Sequence, residues 1–112
     1  MKFGILGTGM VGNVIATRAL FFDTRVVKTL NTLDCSLMVN PDLIKEQTTI
    51  FMSGNDNPAK EQIRELLYSF GWTDLVDLGD ITTSRGTEQL LPIWIRLMGA
   101  LGTPMFNFKV VR

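Results

Sequence analysis

The sequence predicts an α/β fold of three layers around a mainly parallel sheet. Three observations carry that prediction. Short apolar or β-branched runs ("KFGIL", "DTRVVKTLNT", "TTIFMSGND", "DLVDLGD") alternate with segments of helical period. A glycine-spaced turn, "GTGMVG", joins the first run to the first helical segment. The chain has 112 residues, 46% of them hydrophobic, enough for one core and too apolar for disorder. No repeat, low-complexity segment or linker interrupts it, so residues 1–112 read as a single domain.

Each element has a local reason. "KFGIL" ends at Gly7 and reads as a buried strand. "MVGNVIATRALFF" follows as a helix, with Val11, Val14, Ile15 and Leu20 near helical spacing. "DTRVVKTLNT" is rich in β-branched residues and predicts a second strand. "CSLMVNPDLIKEQ" opens with a short helix that stops before Pro41, because the residue before a proline disfavours the helical region. "TTIFMSGND" is the third strand. Asn57 is placed to cap the next helix, with Pro58 at its first position. Ile63, Leu66, Leu67 and Phe70 then form an apolar stripe, with Lys60, Glu61, Arg64 and Glu65 largely opposite. Gly71 is placed to end it. "DLVDLGD" is the fourth strand. "SRGTEQLLPIWIRLMGALG" is one last helix, capped by Ser84 and carrying Glu88 in its first turn. "TPMFNFKVVR" is a partly extended tail.

The totals exclude several functions. Lys+Arg and Asp+Glu are both 11 and no basic run stands out, so nothing global attracts nucleic acid or an anionic membrane. Histidine is absent, which excludes a Ser-His-Asp triad, a Cys-His dyad and histidine metal sites within the chain. No metal site is expected. The single cysteine, Cys35, permits no intrachain disulfide and fits a reducing, cytoplasmic setting. "MKFGILG" lacks the features of a signal peptide. The apolar stretch Leu90–Leu101 is broken by Arg96 and is too short to span a bilayer.

"GTGMVG" carries the clearest chemistry. Gly7 permits a tight turn, Gly9 lets backbone approach a pyrophosphate, and Gly12 lets the helix pack closely on the strand. N–H groups at the helix start, with the dipole's partial positive charge, favour phosphate there. The plainer alternative is a glycine turn that only packs helix on strand. A Rossmann-like dinucleotide turn follows from the motif in this context. Such a site needs a ribose-reading residue about 20 positions on, and spacing alone offers Asp34.

The chain also resembles a known family. "KFGILGTGMVGNVIATRAL" is similar to the N-terminus of the NADPH-dependent coenzyme F-420 (deazaflavin) reductases. "RVVKTLNT", "MVNP", "IFMSGND", "LLYSFGW" and "VDLGDITTSRGTEQLLPIWIRLMGALGTPMFNFKVVR" resemble the C-terminal half of the same family. The cytosolic domain of the STEAP metalloreductases is similar around "VDLGDITTSRGTE". Family members are about twice this length. They carry further strands and helices between the first helix and "VVKTLNT", so the domain looks internally shortened near residues 20–21. The missing part includes the loop that binds the 2′-phosphate, and Asp34 loses its claim to the ribose.

The resemblance implies NADP(H) as cofactor and coenzyme F-420 as second substrate, with hydride passing directly between them. It places pyrophosphate contacts on Thr8, Gly9, Met10 and Val11, beside Gly7 and Gly12. It places Asn31, Thr32 and Cys35 at the nicotinamide end, and the tail near Phe106 by the deazaflavin. It names no catalytic acid or base. Read from the residues alone, Cys35 is a small buried apolar residue, because no cationic neighbour is evident. Asp80, Thr82 and Thr83 read as loop chemistry. The last helix is apolar around most of its circumference and predicts a homo-oligomer. The rival readings are a non-catalytic scaffold or oligomerising fragment, and a module that binds pyrophosphate only.

Overall fold

The structure, a computed structural model, describes residues 25–112. The predicted first strand, the glycine turn, the first helix and the join near residues 20–21 lie outside the described residues. The described part is built on a three-stranded sheet in the order β1 (Val27–Thr29), β2 (Thr49–Gly54), β3 (Asp74–Asp77). β2 is central and pairs parallel to β3, with Thr49 opposite Asp74 and Met52 opposite Asp77. β1 pairs antiparallel to β2, with Val27 opposite Gly54 and Thr29 opposite Met52.

The α/β class therefore stands; the mainly parallel sheet is not confirmed, because among the described residues the sheet is mixed. The connections explain it. Parallel neighbours need a crossover element, and between β2 and β3 the chain supplies one, the 14-residue helix α2 (Asn57–Phe70). Between β1 and β2 it supplies only the five-residue helix α1 (Cys35–Val39) and a 3-10 turn, Pro41–Leu43. β1 is also short. Leu30 has φ 63°, a left-handed conformation that ends the strand and costs a branched L-residue about 1–2 kcal/mol.

The core gathers Leu33, Leu37, Ile50, Met52, Leu67 and Trp72, with Ile63, Phe70, Leu75 and Met105 packed at its margin. The Trp72 indole N–H donates to the Met38 carbonyl at 2.9 Å, so its polar end is satisfied inside the core. α2 presents Ile63, Leu67 and Phe70 inward as the periodicity predicts. Its cap lies one residue earlier than Asn57: the Asp56 carboxylate accepts from the Ala59 N–H at 2.8 Å. Lys60, expected on the solvent side, is buried. Its ammonium lies 2.9 Å from the Asp77 carboxylate and donates to the Gly79 carbonyl at 3.2 Å. The long apolar stem makes this possible, since it packs while the charge finds a partner.

The last helix is two helices, α3 (Ser84–Glu88) and α4 (Leu91–Leu101). Pro92 accounts for the break. It has no N–H for the Glu88 carbonyl, and its ring would collide with that carbonyl in a continuous helix. Ser84 is not a cap: it is the first residue of α3, preceded by a 3-10 turn (Ile81–Thr83) that Asp80 caps through the Thr82 N–H at 2.9 Å. Asp80, Thr82 and Thr83 thus do the loop work expected of them.

The tail completes the sheet without becoming a strand. Successive peptide groups of a strand face alternate edges. The Met52 carbonyl accepts from Leu78 on the β3 side, and the Phe51 carbonyl accepts from the Thr29 hydroxyl on the β1 side. Thr49 shares the edge of Phe51, where β1 does not reach. There its N–H donates to the Phe108 carbonyl at 3.0 Å. The Thr49 hydroxyl accepts from the Val110 N–H at 2.8 Å and donates to the Asp74 carboxylate at 2.7 Å. Asp74 in turn takes the Arg112 guanidinium at 2.8 Å.

Gly71 and Asp74 are both open to test. Gly71 has φ 103°, and a Cβ there would lie 3.2 Å from Pro41 Cγ. Gly71→Ala should cost about 1–2 kcal/mol, lowering the melting temperature by several degrees in a circular-dichroism scan. At Asp74 the test is acid. The Arg112 hydrogen bond, then that of Thr49, holds the Asp74 carboxyl below its ordinary 3.8. A depressed carboxyl stabilises the fold above its unfolded pKa, and that stabilisation fades as pH falls through the folded value. Urea midpoints at pH 7 and pH 3 should differ less in Asp74→Asn than in the native chain. An equal difference would show that this contact carries no acid sensitivity.

Candidate functional site

The predicted site residues divide into three groups. Gly7, Thr8, Gly9, Met10, Val11 and Gly12 lie outside the described residues. Asn31 and Thr32 sit together in the loop that leaves β1. Cys35 opens α1 and is exposed.

The Asn31–Thr32 loop begins at the left-handed Leu30 and is held from two sides. The Asn31 amide donates to the Thr87 carbonyl of α3 at 3.1 Å. Thr32 is only 4% exposed, and its hydroxyl donates to Asn107 Oδ1 at 3.0 Å. Strained backbone persists where neighbouring contacts over-determine it, and such places concentrate at functional sites. The Thr32 hydroxyl proton is thereby engaged within the protein.

Cys35 is exposed, against the expectation of a buried apolar residue. Helix geometry explains the difference. Leu37 is fully buried on the inner face of α1, and two residues turn the helix by about 200°, which puts Cys35 outside. Asp34, the residue spacing alone suggested for a ribose, caps this helix by accepting from the Ser36 N–H at 3.1 Å and from its hydroxyl. Those hydrogen bonds, side chain first and then backbone, hold its carboxyl below the ordinary value.

Sequence reasoning missed Asn107. Its Nδ2 donates to Thr48 Oγ1 at 2.8 Å and to the Thr49 carbonyl at 3.2 Å, while its Oδ1 accepts from Thr32. One amide so joins the site loop, the start of β2 and the tail. A polar residue between two phenylalanines in "FNF" was the available signal. The flanking aromatics face a different task. Phe106 lies 5.3 Å, ring centre to ring centre, from Trp94 of α4, and Phe108 meets Phe106 edge-on at 6.5 Å. The buried Trp94 indole nitrogen has no hydrogen-bond partner among the described residues.

A second polar cluster fixes the opposite end of β2. The Gly54 N–H donates to the Gly79 carbonyl at 3.0 Å, the Thr83 hydroxyl to Ser53 Oγ at 2.7 Å, and the Ile81 N–H to Asn55 Oδ1 at 2.9 Å. Burial works to raise the Asp77 carboxyl, but the Lys60 hydrogen bond and the Gly79 N–H leave it below its ordinary value. Lys28 of β1 pairs with Glu88 of α3 at 3.1 Å. These contacts set α3 over β1 and present the Thr87 carbonyl to Asn31.

No group of metal-ligating side chains occurs among the described residues, and no helix among them is long and apolar enough to cross a membrane. None of the eleven residues of α4 is buried, and Leu91, Ile93, Ile95, Met98 and Leu101 are exposed.

No family model and no curated protein matches the chain. Among solved structures it is similar to a chain from Arthrobacter sp. FB24 described as a "putative f420 dependent nadp-reductase", at 49% sequence identity and a TM-score of 0.82. The match covers 99% of this chain and 50% of that one. The chain thus spans about half the length of its solved relative, and over that span it carries the resemblance to the F420-dependent NADP-reductase family in both sequence and fold.

Proposed function

We propose that the chain is an NADP(H)-binding protein of oxidoreductase type, its reaction a hydride transfer between NADPH and a deazaflavin or related acceptor. The observation that carries the reading is the 49% identity over 99% of the chain to the structure described as a "putative f420 dependent nadp-reductase". The phosphate chemistry of the "GTGMVG" turn agrees with it.

Each group of residues has a task in this reading. Gly7, Thr8, Gly9, Met10, Val11 and Gly12 take the pyrophosphate. Asn31, Thr32 and Cys35 border the nicotinamide, and the Phe106 tail borders the acceptor. The held, strained loop after β1 and the exposed Cys35 fit that assignment. The Thr32 hydroxyl donates to Asn107 within the protein. When bound, the nicotinamide supplies the hydride, so the protein's part is to orient, bury and exclude water. We place the whole chain in one Rossmann-like domain, shortened near residues 20–21, and in the cytoplasm. The shortening removes the 2′-phosphate loop and impairs binding.

The exposed apolar face of α4 favours a second reading, in which the chain is a scaffold or oligomerising fragment. The two are compatible if copies pair through that face.

Two measurements test them. Titration of the 112-residue chain with NADPH and NADH, followed by the fluorescence of Trp72 and Trp94 and by calorimetry, should show weak binding and little preference. Gly9→Val should abolish it. Micromolar binding with clear NADPH preference would overturn the proposed loss of the 2′-phosphate loop; unchanged affinity in Gly9→Val would overturn the turn's assignment. Light scattering at micromolar concentration should give a mass above that of one chain. A monomeric mass removes the homodimer.

A further inference from the structure

We propose that Asn107 is a positioning residue: it sets the Asn31–Thr32 loop against the Phe106 tail, and so fixes one border of the proposed site relative to the other. The inference rests on the proposed function for what the two borders hold, but the clasp itself is read from geometry.

Three features carry it. The amide orientation is determined: the Thr49 carbonyl can only accept, so the atom 3.2 Å from it is the NH₂ group, and the atom facing Thr32 is the oxygen. Three of the four hydrogen-bonding positions of this one side chain are then engaged, on two other segments remote in sequence. Next, the loop it holds is strained. Leu30 at φ 63° would relax if its neighbours released it, and Thr32 is held through its side chain by Asn107. Finally, Asn107 lies between Phe106 and Phe108, so a shift of the clasp moves the aromatic pair and the Phe106–Trp94 contact with it. Loop and tail have no other side-chain hydrogen bond between them among the described residues.

The clasp makes the loop and tail one unit. Losing a hydrogen bond here should loosen both segments together while α2, which makes no side-chain hydrogen bond to either among the described residues, is unaffected. Asn107→Ala removes all three bonds. Thr32→Val removes one bond with nearly the same shape, and Thr32→Ser keeps it.

Hydrogen exchange read by mass spectrometry, with Trp94 emission in a Trp72→Phe background, tests this. Asn107→Ala and Thr32→Val should each speed exchange about fivefold or more in both residues 30–34 and residues 105–110. Exchange in residues 57–70 should not change, and Trp94 emission should shift. Thr32→Ser should behave as the native chain. If Thr32→Val leaves the tail unchanged, or speeds exchange everywhere, the clasp is overturned. NADPH titration of the same variants separates this from the functional reading. NADPH bound equally by native and Asn107→Ala chains overturns the positioning role and spares the functional reading. The expected exchange changes in the variants, with no NADPH bound by the native chain, overturn the functional reading and spare the clasp.

Discussion

The structure depends on how the two edges of strand β2 are covered. A buried backbone group without a partner costs about as much as a lost hydrogen bond or more. β3 covers one edge of β2. On the other edge β1 stops after three residues, opposite Met52 to Gly54. The start of β2 is nevertheless fully buried, with Thr49 at 0% exposure. Something must meet its N–H and carbonyl there, and the tail does, through the Phe108 carbonyl and the Asn107 amide. A short strand early in the chain thus creates the need for an ordered segment near its end.

That constraint organises the proposed site. The turn that shortens β1 is the left-handed Leu30, and the loop it begins carries Asn31 and Thr32. The tail that covers the open edge carries Phe106. Strand termination and edge completion bring the two candidate borders together through one amide. The opposite end of β2 is fixed by different means. There Lys60, Asp77 and Gly79 tie α2 to the end of β3, and Gly54, Ser53 and Asn55 hold the turn that leads into α3. Lys60 is buried while its partner Asp77 is exposed, so the pair chiefly gives a buried ammonium a counter-charge. The turn held by Ser53 and Asn55 leads into α3, and α3 supplies the carbonyl that holds Asn31.

Local pattern was a good guide to element identity and a poor guide to what elements meet. The stripe Ile63, Leu67, Phe70 and the glycine at position 71 identified α2 and its end. The proline at 41 located the end of α1. The same style of reading joined α3 and α4 across Pro92, because an apolar run masks a proline that removes one hydrogen bond. It placed Lys60 in solvent, because helical period records which face is apolar and not where a long side chain can reach. It buried Cys35, because residue type alone does not give the angle to Leu37.

By itself, then, the sequence determined the α/β class, the order of strands and helices from residue 25 to β3, the C-terminal end of α2, and the family resemblance that the solved relative bears out. These depend on interactions among residues close in the chain, or on long collinear similarity. Only the tertiary structure decided the antiparallel pairing of β1, the burial of Lys60 against Asp77, and the role of Asn107. Each is a pairing between segments far apart in sequence. Their partners are chosen by which backbone edges and buried charges remain unsatisfied once the sheet has formed, and no local pattern records that.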